Sequence, residues 1–459
     1  MTRQFDAIIV GAGQAGPPLA RRLTGAGMNV ALVERKFFGG TCVNTGCTPT
    51  KTLVASARAL HVARRARDFG VTIEGSIGVD MRRVKARAER NVVSFREGVR
   101  RSLVENPRCT VLTGQAKFES RDTIRVGNEL LSSERIFLNV GGRAFVPPLK
   151  GVEGVPFLTN TTMLQLDTVP RHLVVVGGSY VGLEFAQMYR RFGSEVTVIE
   201  KGPRLIGRED EDVSTAIKEI LGGEGIAFRL EAECIAFSKA SDGIQVHVDC
   251  ATGDRTVMGT HVLLAVGRRS NTDDLGLDRA GVQVDARGNI PVDDELRTNV
   301  PGIWALGDCN GRGAFTHTAY NDFEIVAANL LDGDARRLSD RITAYALYID
   351  PPLGRGGLTE AEARQSGKKL LVGTRPMSHV SRAIEKDETQ GFIKILVDAE
   401  SKKIAGAAIL GTGGDEVIHG ILDVMYTGAP YTTLQRSVGI HPTVSELIPT
   451  VLGELEPLT

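Results

Sequence analysis

Two rhythms of apolar and polar positions organise the chain. Twice, a run of apolar residues leads into a glycine turn, then into apolar positions three and four apart, then into a second apolar run closed by an acid. The first copy is DAIIVGAGQAGPPLARRLTGAGMNVALVE, Asp6 to Glu34, and the second is HLVVVGGSYVGLEFAQMYRRFGSEVTVIE, His172 to Glu200. A short apolar run bounded by turn residues reads as a buried strand, and a spacing near 3.6 reads as a helix with one face covered. Each copy is therefore expected to be a strand, a helix and a second strand. Each is followed by β-like alternation and a strand ending in glycine and arginine, SERIFLNVGGRA from Ser133 and GTHVLLAVGRRSNT from Gly259. From about Ala344 the texture changes to alternating strands and one long helix, in GFIKILVDAESKKIAGAAILG and DEVIHGILDVMYTGAP, which predicts a third unit of different construction.

The glycine turns indicate what the repeated unit binds. In the first copy Gly11 permits a tight turn, Gly13 lets the backbone approach a pyrophosphate, and Gly16 lets the helix pack close on the strand, with the phosphates at the positive helix end. Glu34 follows 23 residues after Gly11, where a carboxylate accepts hydrogen bonds from a ribose. The second copy reads Gly177, Ser179 and Gly182, so a side chain stands where the backbone should meet phosphate, and a looser site is expected. Glu200 again falls 23 residues after the first glycine and favours a free ribose hydroxyl, hence NADH over NADPH, while Lys201 and Arg204 nearby act against that preference. An apolar strand in PGIWALGDCNG, from Pro301, delivers Asp308 to hold another part of the first nucleotide.

Composition then removes alternatives. The 459 residues suffice for roughly three domains, and 55 basic residues balance 55 acidic ones, which gives no reason to expect nucleic acid or a membrane surface. The chain runs from a short polar start straight into a strand, and no apolar run approaches the ~20 residues of a membrane span, so a cytoplasmic protein is expected. Six cysteines in so long a chain are not a disulfide framework. Two of them stand five apart in FFGGTCVNTGCTPTKTL, where Asn44, Thr45 and Gly46 allow the bend that brings Cys42 and Cys47 together. Thr48 and Pro49 read as the cap and first position of a helix running on to Phe69, which puts Cys47 at a helix N-terminus that favours its thiolate. Near the other end, in VGIHPTVSELIPTVLGEL, Pro442 reads as a first helical residue, so that Glu446 one turn on can orient His441 as an acid and base. Arg58, Arg64, Arg65 and Arg67 read as a solvated helix face, and the basic helix from Met81 as packing and solubility. No resident metal site is expected.

These stretches resemble the FAD-dependent pyridine nucleotide disulfide oxidoreductases, the family of glutathione reductase, dihydrolipoamide dehydrogenase and mercuric reductase. GGTCVNTGCTPTK is similar to the family's redox-disulfide motif, LGD to its flavin motif, and HPTVSE to its C-terminal acid-base motif. The resemblance implies an α/β fold with two Rossmann-like units for FAD and NAD(P), and a C-terminal α+β dimerisation domain. It divides the chain into an FAD domain at 1–145 and 271–340, an NAD(P) domain at 146–270 and a dimerisation domain at 341–459. It implies that Lys51 pairs with Glu184, that Tyr180 covers the nicotinamide pocket, and that Gly40, Thr41, Ala116, Gly141, Gly267 and Thr316 contact cofactor, with His317 alongside. It also implies a homodimer in which His441 serves the Cys42–Cys47 disulfide of the other subunit.

Hydride would then pass from NADH or NADPH through FAD to the cysteine pair and on to a small-molecule or metal-ion acceptor. Thr48, Thr50, TLVASA and DPPLGRGGLTEAEA look most like mercuric reductases and related copper-reducing enzymes, although no cysteine follows Cys309 to supply the C-terminal pair of the former. Dihydrolipoamide dehydrogenase is the alternative, against which Thr45 and Thr48 make the approach to the sulfurs polar. A flavin-binding sensor, or a diaphorase that does not use the disulfide, is the third reading.

Overall fold

The computed structural model describes residues 1–249 and 254–458, so Cys250 lies outside the described residues. The first repeat forms the strand Ala7–Val10, the helix Gly16–Gly25 and the strand Val30–Glu34; the second forms His172–Val176, Tyr180–Phe192 and Glu195–Ile199. In both the strands pair in parallel, Ala7 opposite Val30 and His172 opposite Glu195. Covered on both faces, these strands are largely apolar rather than alternating, and Ile8, Ile9, Leu32, Val174, Val175 and Val198 are all fully buried.

The first sheet has five parallel strands in the order Ile303–Ala305, Ile136–Leu138, Ala7–Val10, Val30–Glu34 and Cys109–Thr113. The second has four, Ala227–Arg229, Glu195–Ile199, His172–Val176 and His261–Leu264. Thus the chain leaves the first sheet after residue 138 and returns to it at residue 303. The two glycine-and-arginine stretches form the crossing itself, Gly142–Ala144 pairing antiparallel with Arg268–Ser270.

The C-terminal unit is built differently. Six antiparallel strands run in the order Ala344–Leu347, Leu353–Gly357, Ile404–Leu410, Phe392–Asp398, Leu370–Pro376 and Glu456–Pro457. The helix Gly414–Thr427 lays its buried residues Ile418, Ile421 and Leu422 on that sheet. Polar ties join this unit to the second sheet. Arg355, 1% exposed, pairs with Glu209 and with Asp210 at 2.8 Å, and Lys394 Nζ reaches Asp210, Asp212 and Glu360 at 2.7 to 3.0 Å. Asp210, Asp212 and Glu360 lie close enough to one another to resemble a metal site, but the lysine ammonium already fills it. Removing one member of such a buried network costs about 3–5 kcal/mol.

Three of the four arginines expected on a solvated face, Arg58, Arg64 and Arg65, instead meet partners, while Arg67 is exposed as expected. Arg58 pairs with Asp350 and with Glu388 at 2.6 Å, Arg65 pairs with Asp387, and the Arg64 guanidinium donates to the Arg191 carbonyl. They fasten the helix to the other units, since each meets an acceptor brought up by chain distant in sequence. Its bounds also differ from expectation. The helix covers Cys47–Arg64, and a short 3-10 turn at Ala66–Phe69 follows.

Candidate active site

The two glycine loops share one construction. Gly11 has φ +107 and Gly177 φ +112, and a Cβ would meet the Asn139 carbonyl oxygen at 2.2 Å in the first and that of Ala265 at 2.4 Å in the second. Only glycine meets both demands. Gly16 and Gly182 sit where the helix crosses the strand end, with Cβ positions 2.2 and 2.0 Å from the carbonyl oxygens of Gly11 and Gly177. The terminal acids clip each loop in place. Glu34 accepts from the backbone N–H of Ala12 at 2.9 Å and of Lys36 at 2.7 Å, and Glu200 from those of Gly178 at 2.6 Å and Gly202 at 2.8 Å.

A cavity of about 1200 Å³ opens from the first loop. It gathers Gly11, Gly13, Glu34, Gly40, Thr41, Lys51, Ala116, Gly141, Asp308 and Thr316 with both cysteines, and Tyr180 and Glu184 enter it from the second unit. The wall beside the loop is bare backbone, for a Cβ on Gly13 would lie 2.8 Å from Asn139 Oδ1 and one on Gly40 2.9 Å from the Gly13 Cα. Such a wall suits a pyrophosphate. Asp308 lies in the turn Gly307–Asn310 with the Arg268 guanidinium 3.5 Å away, and burial raises its carboxyl above the usual range against that arginine. Gly16, Gly177, Ser179, Gly182, Glu200 and Gly267 lie outside the cavity lining, and so do His441 and Glu446.

The cysteines sit on either side of a helix break. Cys42 lies in the short helix Gly40–Thr45, Gly46 breaks it, and Cys47 is the first residue of the next, with Thr50 N–H donating to the Gly46 carbonyl at 3.0 Å. Cys47, not Thr48, begins the helix: Gly46 occupies the cap, and the bend falls at Gly46 alone, Asn44 and Thr45 being helical. The two are free thiols, the reduced form of the pair. Hydrogen bonding from Cys42 holds the Cys47 thiol down to about 6, with Thr316 and the Lys51 charge assisting against desolvation. The same contact and burial push Cys42 up. One sulfur therefore carries the charge and the other the proton. Thr316 Oγ1 lies 3.4 Å from Cys47 Sγ.

Lys51 Nζ meets both Glu184 oxygens, at 2.8 and 2.7 Å. Tyr348 completes this group unforeseen, its ring 4.5 Å under the ammonium and its N–H donating to Glu184 at 3.1 Å. His441 Nδ1 lies 3.1 Å from both oxygens of Glu446, which fixes the ring and leaves Nε2 facing outward. Pro442 does not start a helix here. Residues 441–444 are irregular, and Glu446 stands in the 3-10 turn Ser445–Leu447 ahead of the helix Ile448–Gly453. His317 Nε2–H donates to the Ala344 carbonyl, 2.7 Å away, and the ring stacks on Phe315. Asn139 was also missed: its Oδ1 accepts from Gly16 N–H at 3.1 Å and its Nδ2 donates to the Leu306 carbonyl at 3.0 Å. The signal for it was a lone amide closing an apolar strand in IFLN.

The profile of the pyridine nucleotide-disulphide oxidoreductases matches residues 5–322, and that of their dimerisation domain residues 343–452. The chain belongs to this family. Pyridine nucleotide-disulphide oxidoreductases are FAD-dependent and use NAD(P)H. Among them the chain is 36% identical to the probable pyridine nucleotide-disulfide oxidoreductase RclA of Escherichia coli, over 96% of this chain and 97% of that protein. It is 32% identical to a dihydrolipoyl dehydrogenase of Thermus scotoductus (97% and 96%) and 31% identical to a mercuric reductase of Streptomyces lividans (97% and 94%). A solved Cu(II) complex of the HOCl-induced flavoprotein disulfide reductase RclA superposes with a TM-score of 0.89 at 34% identity, covering 99% of each chain. No helix among the described residues is long and apolar enough to cross a membrane.

Proposed function

We propose that this oxidoreductase delivers electrons from NAD(P)H through the Cys42–Cys47 pair to a metal ion or a disulfide. The observation that carries this reading is that Cys42 and Cys47 face each other across the Gly46 break inside the cavity that holds the first glycine loop, with Cys47 at a helix start that favours its thiolate. FAD, held by Gly11, Gly13, Glu34, Gly40, Thr41, Ala116, Gly141 and Asp308, supplies the hydride-accepting ring. Gly177, Ser179, Gly182, Glu200 and Gly267 hold the nicotinamide dinucleotide, and Tyr180 covers its pocket. Lys51 and Glu184 fix charge at the cavity wall between the two sites.

Cys47, at the helix start, keeps its thiolate, and Cys42 is the sulfur that meets the acceptor. With a disulfide acceptor, the Cys42 sulfur gives its proton to His441 of the partner subunit and attacks, expelling one thiolate that takes that proton back. Cys47 then attacks the Cys42 sulfur of the mixed disulfide, the Cys42–Cys47 bond forms, and the second sulfur leaves as a thiolate that takes its proton from solvent. With a metal ion the pair gives up the same two electrons, two to one mercuric ion or one to each of two cupric ions, releases the Cys42 proton and closes to the disulfide. The active unit is a homodimer: a dimerisation domain is present, and beside His441 the side chains of Val438 and Ile440 are 98% and 79% exposed in the single chain. A cytoplasmic setting suits a pair that must start each cycle reduced.

The metal reading is favoured by the polar approach and by the likeness to the copper complex. Thr45 and Thr316 line the cavity near the sulfurs, although Thr48 does not. The test is a steady-state comparison of cupric ion, mercuric ion, lipoamide and oxidised glutathione with each nicotinamide. Metal-ion turnover at least tenfold above lipoamide supports this reading, and efficient lipoamide turnover replaces it with dihydrolipoamide dehydrogenase.

A further inference from the structure

Tyr345, on the first strand of the C-terminal sheet, lines the same cavity as Tyr180. Its ring meets that of Tyr180 edge-on, with centroids 5.4 Å apart at 76°, and stacks on Phe315 at 5.7 Å and 15°. Tyr180 also meets Phe315 edge-on at 6.1 Å, and the Arg208 guanidinium lies over its ring at 5.3 Å. The two phenols differ at their tips. The Tyr180 hydroxyl is buried and has no hydrogen-bond partner among the described residues, so ring contacts and the Arg208 cation hold that side chain. The Tyr345 hydroxyl donates to Glu209 Oε1 at 2.6 Å, and the buried Glu209 is clamped in turn by Arg355.

We propose that Tyr345 is a positioning residue for nicotinamide entry, a fixed post anchored through Glu209 and Arg355 against which the movable Tyr180 ring closes. The inference rests on the proposed place of Tyr180 over the nicotinamide pocket. An anchored ring cannot follow when its neighbour swings out, so the Tyr180–Tyr345 contact is lost on opening and favours the closed state. A ligand that binds the open state has its affinity reduced by the fraction open. The C-terminal sheet, which supplies Tyr345 and Arg355, thereby sets how tightly the second nucleotide unit takes its ligand.

A double-mutant cycle on the holoenzyme tests this, reading kcat/KM for NADH and the dissociation constant of NAD⁺. An aromatic edge contact of this kind corresponds to about a three- to tenfold change. Tyr180→Ala is expected to raise kcat/KM for NADH and lower the NAD⁺ dissociation constant by that factor. Tyr345→Leu should do the same, and the double variant no more than the larger single. Tyr345→Phe keeps the ring but frees it from Glu209, and is expected to give a smaller tightening even where Tyr345→Leu folds poorly. Weaker binding in either Tyr345 variant, or additive effects in the double, overturns the post and leaves Tyr180 as a gate. No change in Tyr180→Ala overturns the gate and the post together.

Discussion

The two glycine loops have the same backbone and different neighbours. Both carry a left-handed glycine, a packing glycine and an acid that accepts from two backbone amides. Around the first, Asn139 ties the helix start to the neighbouring strand through Gly16 and Leu306, and Gly40 brings a second stretch of bare backbone against Gly13. Around the second, Ala265 stands in the place of Asn139 and Ser179 in that of Gly13, and neither side chain makes such a tie. A cross-tied cradle suits a ligand that stays, and an untied one suits a ligand that leaves each cycle. On the proposed assignment, the same fold serves a resident flavin and an exchanging nicotinamide.

The harshest way to break this comparison is to place a Cβ at the matching turns. Gly11→Ala is expected to yield protein without flavin, and Gly177→Ala to yield yellow protein whose reduction by NADH is slowed at least a hundredfold; absorbance spectra and stopped-flow reduction check both. If both variants lose flavin, the loops do not divide the work. Next in size is Asn139→Ala, which strands Gly16 N–H and the Leu306 carbonyl at about 1–3 kcal/mol each. It should weaken FAD at least tenfold and leave NAD⁺ affinity of the reloaded enzyme within threefold, as measured by titration. Glu200→Gln should shift the NADH-to-NADPH ratio of kcat/KM about tenfold toward NADPH, because the charge expected beside the 2′-phosphate is removed and two acceptor oxygens become one. An unchanged ratio would assign the preference elsewhere.

The smallest effect concerns Cys47. Its folded thiol is lowered to about 6, so the thiolate is populated above that pH and lost as pH falls through it. Alkylation of the NADH-reduced enzyme should follow that midpoint. Thr316→Val, which removes one hydrogen bond to the sulfur, should raise the midpoint by up to about one pH unit.

Much of this was legible because it is local. The strand, glycine, helix and acid pattern of each repeat depends on residues close in sequence, and so does the pairing of Cys42 with Cys47 across a helix break. What escaped was tertiary. Asn139 acts across 123 residues to Gly16, and Tyr345 across 136 to Glu209, so no neighbouring residue names the partner of either. The arginines after the cysteines read as solvated because their acceptors at Asp350, Asp387 and Glu388 come from a distant unit. Pro442 misled because a proline that suits a first helical turn also suits the irregular stretch it occupies.

The central claim is that the cysteine pair, and not the first nucleotide site alone, is the route to the acceptor. Cys42→Ser tests it most directly, in a stopped-flow and turnover experiment on one preparation. The account predicts flavin reduction by NADH at near the native rate and acceptor reduction at least a hundredfold slower. Acceptor reduction at the native rate in that variant would contradict it.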